Sequence, residues 1–323
     1  MRQFFSILLA LMVACGCTLR AAEAPPPPDT KEVKPRQVNC ILISWDGLDR
    51  AVLKELLKEE KLPNLAALIK AGSLQDIDVK GHQTETRPSH AEMLTGLASE
   101  DSGVRSNSDD GSVPAGTSVF EIIKKQMGGE KVATIMVTGK AYVGTLIGEK
   151  VREKAIDTCD IGSRAAAKVG PLCLAALGKQ KDKAFFAFFH FPDPDWAGHG
   201  SGRDSAEYRK AAAACDAWLG AITEQLKKDK IDTYTNIYVM ADHGMDPGGH
   251  AHYNAPDSWL ATNDKDVVRG GIIADVPATI LVRFGVDVKL LKPALIGQSL
   301  TVKAVDRDEK ATVKPPAALS PTR

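Results

Sequence analysis

Four short stretches of this 323-residue chain hold the residues best suited to bind a metal or attack an electrophile: Asp46 before Gly47, Thr86 within Thr84-Glu85-Thr86-Arg87-Pro88-Ser89-His90, Asp195 with His199, and Asp242 with His243. Carboxylate oxygen and imidazole nitrogen are the ligands zinc takes when it keeps a coordination position open for chemistry. A threonine hydroxyl is a poor nucleophile until something stabilises its alkoxide. Pro88 suits a first helical turn, and Ala91, Met93 and Leu94 continue an apolar run that stops at Gly96. Thr86 is therefore expected at a helix N-terminus, where unpaired N–H groups and the helix dipole favour an alkoxide or a phosphate oxygen. An ordinary N-cap would also explain a threonine there. What favours chemistry is where the other residues fall.

Residues 38–45 form a continuous apolar run that ends at Asp46-Gly47. A second run, 184–190, precedes Asp195 and His199, and a third, 236–241, precedes Asp242-His243. Such runs read as strands buried on both faces of a parallel sheet. In open α/β sheets, ligands gather beyond the carboxyl ends of the strands. A single Asp or His at a strand end is commonly a turn residue; repetition at three ends, beside a hydroxyl at a helix N-terminus, points to one site.

Around those strands the pattern predicts helices over 50–60, 62–71, 118–127 (with Ser118 as N-cap) and 162–177, and further strands over 131–138 and 277–284. Tyr208, Ala211, Ala212, Cys215, Trp218, Leu219, Ile222 and Leu226 share one face at helical spacing and read as core. Residues 101–111 read as a polar loop. The alternation predicts an α/β three-layer sandwich with a largely parallel central sheet, in one domain over 36–300.

Forty-one basic and 41 acidic residues cancel, which excludes the basic footprint of a nucleic-acid binder, and 44% hydrophobic with 25% charged residues is a globular balance. An anionic substrate must then be attracted locally, for example by metal ions. Residues 1–22 read as a signal peptide, with Arg2 before an apolar run too short to span a bilayer permanently. Cys15 or Cys17 is a candidate lipidated cysteine, and ordinary cleavage near Ala21-Ala22 is the alternative. Either route leads out of the cytoplasm, to a periplasmic, lipid-anchored or secreted protein. The Pro-rich 23–35 reads as a stiff spacer and 301–323 as a loose tail. Cys40 and Cys215 read as buried thiols, and Cys159 and Cys173 as a candidate disulfide.

With these residues in place, the chain resembles the alkaline phosphatase superfamily and, within it, the type I phosphodiesterase/nucleotide pyrophosphatase family. Ser44-Trp45-Asp46-Gly47, Thr86-Arg87-Pro88-Ser89-His90 with Leu94-Thr95-Gly96, Gly103 to Asn107, Asp195 to His199 and Ala241 to Met245 occur in the family's order. The resemblance implies two zinc ions, with manganese an alternative, sharing one phosphoryl group. Asp46, Thr86, Asp242 and His243 would hold one, and Asp195, His199 and a later histidine the other. His252, in the run His252 to Pro256, is the favoured seventh ligand and His250 the alternative. Thr86 would form a phosphothreonine intermediate. Asn107 matches the family's donor to a non-bridging phosphoryl oxygen; a turn asparagine is the competing reading. The nucleotide-cleaving members carry an aromatic residue after the nucleophile, whereas this chain has Arg87, whose guanidinium would either meet substrate charge over the site or pair with Glu85 or Asp109 at the surface. His82, His90 and His190 read as structural.

The implied activity is that of an exported phosphoric ester hydrolase acting on a small-molecule phosphate ester, as a phosphodiesterase or, alternatively, a phosphomonoesterase. Sulfatase chemistry would ask for cysteine or serine at position 86. A non-catalytic surface binding protein would be expected to have lost several of these ligands.

Overall fold

The computed structural model describes residues 38–180 and 182–303. The signal peptide, lipidation site and Pro-rich spacer expected over 1–35, and most of the expected tail, lie outside the described residues.

In chain order the elements are β1 (Asn39–Trp45), α1 (Arg50–Lys58), α2 (Pro63–Ala71), β2 (Ser73–Asp78), α3 (Thr86–Thr95), α4 (Ser99–Ser102), α5 (Val119–Met127) and β3 (Val132–Thr138). There follow α6 (Ala141–Gly144), α7 (Glu149–Ala155), β4 (Thr158–Ile161), α8 (Ala166–Gln180), β5 (Ala184–Phe191), α9 (Asp193–Ser201) and α10 (Ala206–Lys228). The chain closes with β6 (Thr235–Met240), β7 (Asp257–Thr262), β8 (Gly271–Ile272) and α11 (Asp275–Arg283).

The strands form one sheet in the order β4-β3-β5-β1-β6-β7-β2-β8. Pairing is parallel except where β7 runs antiparallel to β6 and β2. The three apolar runs β1, β5 and β6 are adjacent, with β1 in the middle. Side chains alternate across the sheet, as pleating requires. Ile41 and Ile43 pack with α1, α2, α8 and α10 on one face, whereas Cys40 and Leu42 pack with α3, α5, α7 and α11 on the other. The result is the expected three-layer sandwich.

Local chemistry starts the helices, at Ser118 as read and at Asp49 in addition. Ser118 and Glu121 close a capping box on α5, and Asp49 accepts from the N–H groups of Ala51 and Val52 to start α1.

Two expectations are corrected. Residues 277–284, expected as a strand, fall in helix α11 (Asp275–Arg283) and its C-cap Phe284, and every residue from Asp275 to Leu281 is buried. A short apolar run buried all round has the same composition in either state, and periodicity cannot separate them. What favours the helix is its place against α3 and α5, off the sheet. The candidate pair Cys159–Cys173 is not a disulfide: both thiols are free, Cys173 lying in the core on α8 and Cys159 exposed on the edge strand β4.

Candidate active site

The carboxyl ends of β3, β5, β1 and β6, four neighbouring strands, meet the N-terminus of α3. Asp46 ends β1, its N–H donated to the Phe191 carbonyl at 3.0 Å. Gly47 follows with φ +71° and donates its N–H to Asp242 Oδ1 at 2.9 Å. A Cβ on Gly47 would lie 2.9 Å from the Asp195 Cβ, so only glycine lets β1 turn here against α9. The first turns of α9 carry Asp195 and His199, four residues apart and hence on one face. Thr86 is the first residue of α3 and is buried. Asn107 Oδ1 accepts the Arg87 N–H at 2.8 Å, which caps that helix and leaves the amide nitrogen as the donating end.

Three imidazoles share one orientation. The Nδ1 atoms of His243, His199 and His252 lie 2.8, 2.7 and 2.6 Å from the carbonyls of Gly244, His250 and Thr84. A carbonyl only accepts, so each Nδ1 carries the proton and each Nε2 is presented inward, the arrangement metal-binding histidines use. His252 Nε2 lies 3.1 Å from His199 Nε2, and the two lie 3.8 and 3.3 Å from Asp195 Oδ1. His243 Nε2 lies 3.2 Å from Asp242 Oδ2, 3.8 Å from Asp46 Oδ1 and 3.4 Å from Thr86 Oγ1.

Asp46 Oδ1, Asp195 Oδ1 and Asp242 Oδ2 are buried and receive no hydrogen bond. Buried acceptors are rarely left so, and three of them facing inward imidazole nitrogens fit divalent cations. Burial, and then the neighbouring Asp46 charge, push the Asp242 carboxyl up. Burial is the largest influence on Asp46 and Asp195 and acts the same way, but Lys140 together with His190 and His243 on Asp46, and with His199 and His243 on Asp195, outweighs it and holds both below the usual carboxylate range. His252 is pushed down to about 4 by burial and by His243, so it stays neutral and available as a ligand.

The structure thus brings together Asp46, Thr86, Asp195, His199, Asp242, His243 and His252. His250 stands apart: its ring Nδ1 is 3.1 Å from the His199 carbonyl, so it buttresses that residue from outside. Arg87 departs from both of its expected uses. Its guanidinium donates to the carbonyls of Gly111 and Tyr142 at 2.6 and 2.7 Å and reaches the Thr145 hydroxyl, so its charge ties the loop at Gly111 to α6. Glu85 and Asp109 meanwhile accept backbone N–H groups of residues 105–107.

Sequence reasoning missed Lys140. It is two residues past β3, and its Nζ lies 2.6 Å from Asp195 Oδ2, 2.9 Å from Asp46 Oδ2 and 3.3 Å from Thr86 Oγ1. The signal that could have found it is its place just beyond the carboxyl end of the strand expected at 131–138, where ligands gather. His190 and His90 also do more than fill space. His190 Nδ1 accepts the Gly139 N–H, so its Nε2–H donates to Asp46 Oδ2 at 2.7 Å. His90 Nδ1 donates to the Thr86 carbonyl at 2.8 Å, and its Nε2 lies 2.9 Å from the Ser44 hydroxyl. Both His90 nitrogens and the Nε2–H of His190 are thereby committed, so the Asp46–His90–His190 cluster, although compact, positions ligands without adding a metal site. His82 pairs with the buried Glu92 at 2.6 Å.

An α/β sandwich of this kind is shared with solved hydrolases. A 2-O glycosaminoglycan sulfatase matches with a TM-score of 0.61 at 13% identity over 82% of this chain and 73% of its own. The phosphonate monoester hydrolase of Silicibacter pomeroyi matches at 0.59 and 15% identity over 82% and 76%. At such identities the likeness is one of fold, the alkaline-phosphatase-like one.

Sequence comparison narrows the class. The model of the type I phosphodiesterase / nucleotide pyrophosphatase family matches residues 40–294, and the chain belongs to that family. Member 3 of the ectonucleotide pyrophosphatase/phosphodiesterase family from Rattus norvegicus is 28% identical over 65% of this chain and 25% of its own length. The mouse counterpart is 42% identical over 20% of the chain and 7% of the relative. The chain therefore spans a quarter or less of these two curated relatives.

Proposed function

We propose that this chain is a metal-dependent hydrolase of phosphoric esters that works through a phosphothreonine at Thr86. Asp46, Asp242, His243 and Thr86 would hold one divalent ion, and Asp195, His199 and His252 the other, with zinc the best fit to the nitrogen and oxygen donors and manganese an alternative. When bound, the ions supply Lewis-acid stabilisation of charge on the entering and leaving oxygens.

The chain's own residues do the rest. The α3 N-terminus lowers the cost of an alkoxide on Thr86, which attacks phosphorus as the bond to the leaving alcohol breaks; water then cleaves the Thr86 ester and phosphate, or a phosphate ester, departs. Asn107 presents its amide N–H to a non-bridging oxygen, an oxyanion-hole role. Its Oδ1 is held by the Arg87 N–H, which fixes the side chain's direction. His190 and His90 keep Asp46 and the start of α3 in register. Read with the signal expected over 1–22, the substrate is met outside the cytoplasm.

The observation carrying this reading is the meeting of three undonated buried carboxylate oxygens with three inward imidazole nitrogens beside a hydroxyl at a helix N-terminus. The test is Thr86→Ala assayed on nitrophenyl phosphate monoester, diester, phosphonate and sulfate, with zinc or manganese added. Turnover of the phosphate esters should be lost while fold and most metal are kept. Full activity in that variant would sink the mechanism.

A further inference from the structure

Lys140 occupies a built position. Gly139 before it packs where a Cβ would stand 2.4 Å from Pro192 Cδ and 2.8 Å from the Arg164 carbonyl. Its N–H is held by the His190 carbonyl at 3.0 Å. The Lys140 side chain is 4% exposed, and its ammonium lies between the carboxylates assigned to the two metal positions and beside Thr86 Oγ1.

An ammonium withdrawn from water needs an anionic partner. Without metal it has two, Asp46 and Asp195. Divalent ions on the Oδ1 atoms of those same carboxylates would neutralise the charge that Lys140 meets at their Oδ2 atoms and repel the ammonium, while the short tether from β3 keeps it near the nucleophile. Beside it also stand the Thr86 hydroxyl and the Tyr142 ring, 5.7 Å from Nζ to the centroid.

We propose that Lys140 is a substrate-contacting residue: in the metal-loaded enzyme its ammonium binds a second negative charge carried at or next to the scissile phosphorus, so that the enzyme favours dianionic phosphate esters over monoanionic ones. This deepens the hydrolase reading and rests on it. The charges agree, since three carboxylates, two divalent ions and one ammonium leave a net positive site even after a threonine alkoxide forms. The second charge has two sources, a monoester's own oxygen or a carboxylate near a diester phosphorus.

The test compares wild type with Lys140→Gln, zinc-loaded, on nitrophenyl phosphate, on bis-nitrophenyl phosphate and on a nitrophenyl diester bearing a carboxylate on its other alcohol. Loss of a charge-assisted contact should lower kcat/KM about tenfold or more on a dianionic substrate, with a much smaller change on the plain diester. A selective fall on the monoester alone assigns the phosphoryl oxygen, and one on the carboxylate diester assigns the neighbouring group. Lys140→Arg should keep the preference. Inorganic phosphate binding to zinc-loaded Thr86→Ala, followed by calorimetry, should weaken comparably when Lys140→Gln is added. Should Lys140→Gln fail to load metal, Lys140→Met, with an apolar stem, reads the same ratio. Equal losses on all substrates, or unchanged phosphate binding, overturn the proposal. A wild type that hydrolyses none of them would instead overturn the hydrolase reading itself, and an active Thr86→Ala its phosphothreonine mechanism.

Discussion

The two halves of the site differ in how far they stand from water. His243 and Asp242, beside Thr86, have fully buried side chains, whereas on the other half His199 is 46% exposed over a buried Asp195. The difference follows from the elements. Asp46 and Asp242 end central strands β1 and β6 and lie between the sheet and α3, while His199 sits on α9 and His252 in a loop. A buried, carboxylate-rich half beside the hydroxyl suits activation of a nucleophile, where low dielectric strengthens each interaction. The half nearer solvent suits exchange of leaving alcohol and water.

The largest effect is expected where the buried half is broken. Asp242→Ala removes a carboxylate proposed as a metal ligand and the acceptor of the Gly47 N–H together. We expect kcat/KM to fall on the order of 10⁴-fold or more and one metal to be lost per chain, read by elemental analysis. Unchanged metal content and rate would mean that the buried half is not the metal site proposed for it.

On the outer half, His252→Ala should lose the second metal and His250→Ala should keep it, with the rate falling for the former by more than the roughly 10–100-fold typical of losing a group that only supports a ligand. The reverse outcome would exchange their roles and place the ligand on the residue that now supports His199 from behind.

The halves were unequally legible in the sequence. Asp46, Asp242 and His243 directly succeed apolar strands, so a run of buried residues with a polar stop located them. His252 was favoured over His250 on resemblance alone, because two histidines two residues apart in a Gly-rich loop have no periodicity to rank them. The Nδ1 contact of His252 to the Thr84 carbonyl, 168 residues away, is a tertiary fact. Lys140 was missed because a lysine after a strand reads as a solvated charge, and its burial depends on two aspartates distant in sequence, Asp46 after β1 and Asp195 on α9. Arg87 was expected near substrate because it adjoins Thr86, yet consecutive helical residues point in directions about 100° apart. Strand and helix could not be separated at 277–284, where burial on all sides removes the pattern.

Arg87 sharpens the comparison by belonging to neither half. With its guanidinium on the Gly111 and Tyr142 carbonyls, Arg87→Gln should cost about 1–3 kcal/mol of stability in urea titrations, the usual penalty for leaving buried hydrogen-bonding groups unpaired. The ratio of monoester to diester kcat/KM should stay as it is. A selective loss on the monoester would return the reading of substrate charge from Lys140 to Arg87.

The smallest effect concerns protons on the outer half. His252 has its imidazole pushed down from 6.5 to about 4 by burial and by His243. A histidine whose folded pKa lies below its unfolded one is fully stabilising above the unfolded value and loses that contribution as pH falls toward the folded one. In the metal-free protein, stability should therefore decline from pH 6.5 toward pH 4, with a share of at most about 1.4 kcal/mol per pH unit due to His252. His90, pushed down to about 3 by burial and His190, adds its own slope over a wider window, so the share of His252 must be read as a difference. His252→Gln keeps a polar side chain but removes the titrating ring. Urea melts of both metal-free proteins between about pH 4 and 8 should differ in slope only below about pH 6.5. Zinc should flatten the wild-type slope, because a ligated Nε2 cannot take up a proton until the ion leaves. Parallel curves for the two proteins would show that the His252 ring titrates as it does in water, and the outer half would then be more open than its buried Asp195 implies.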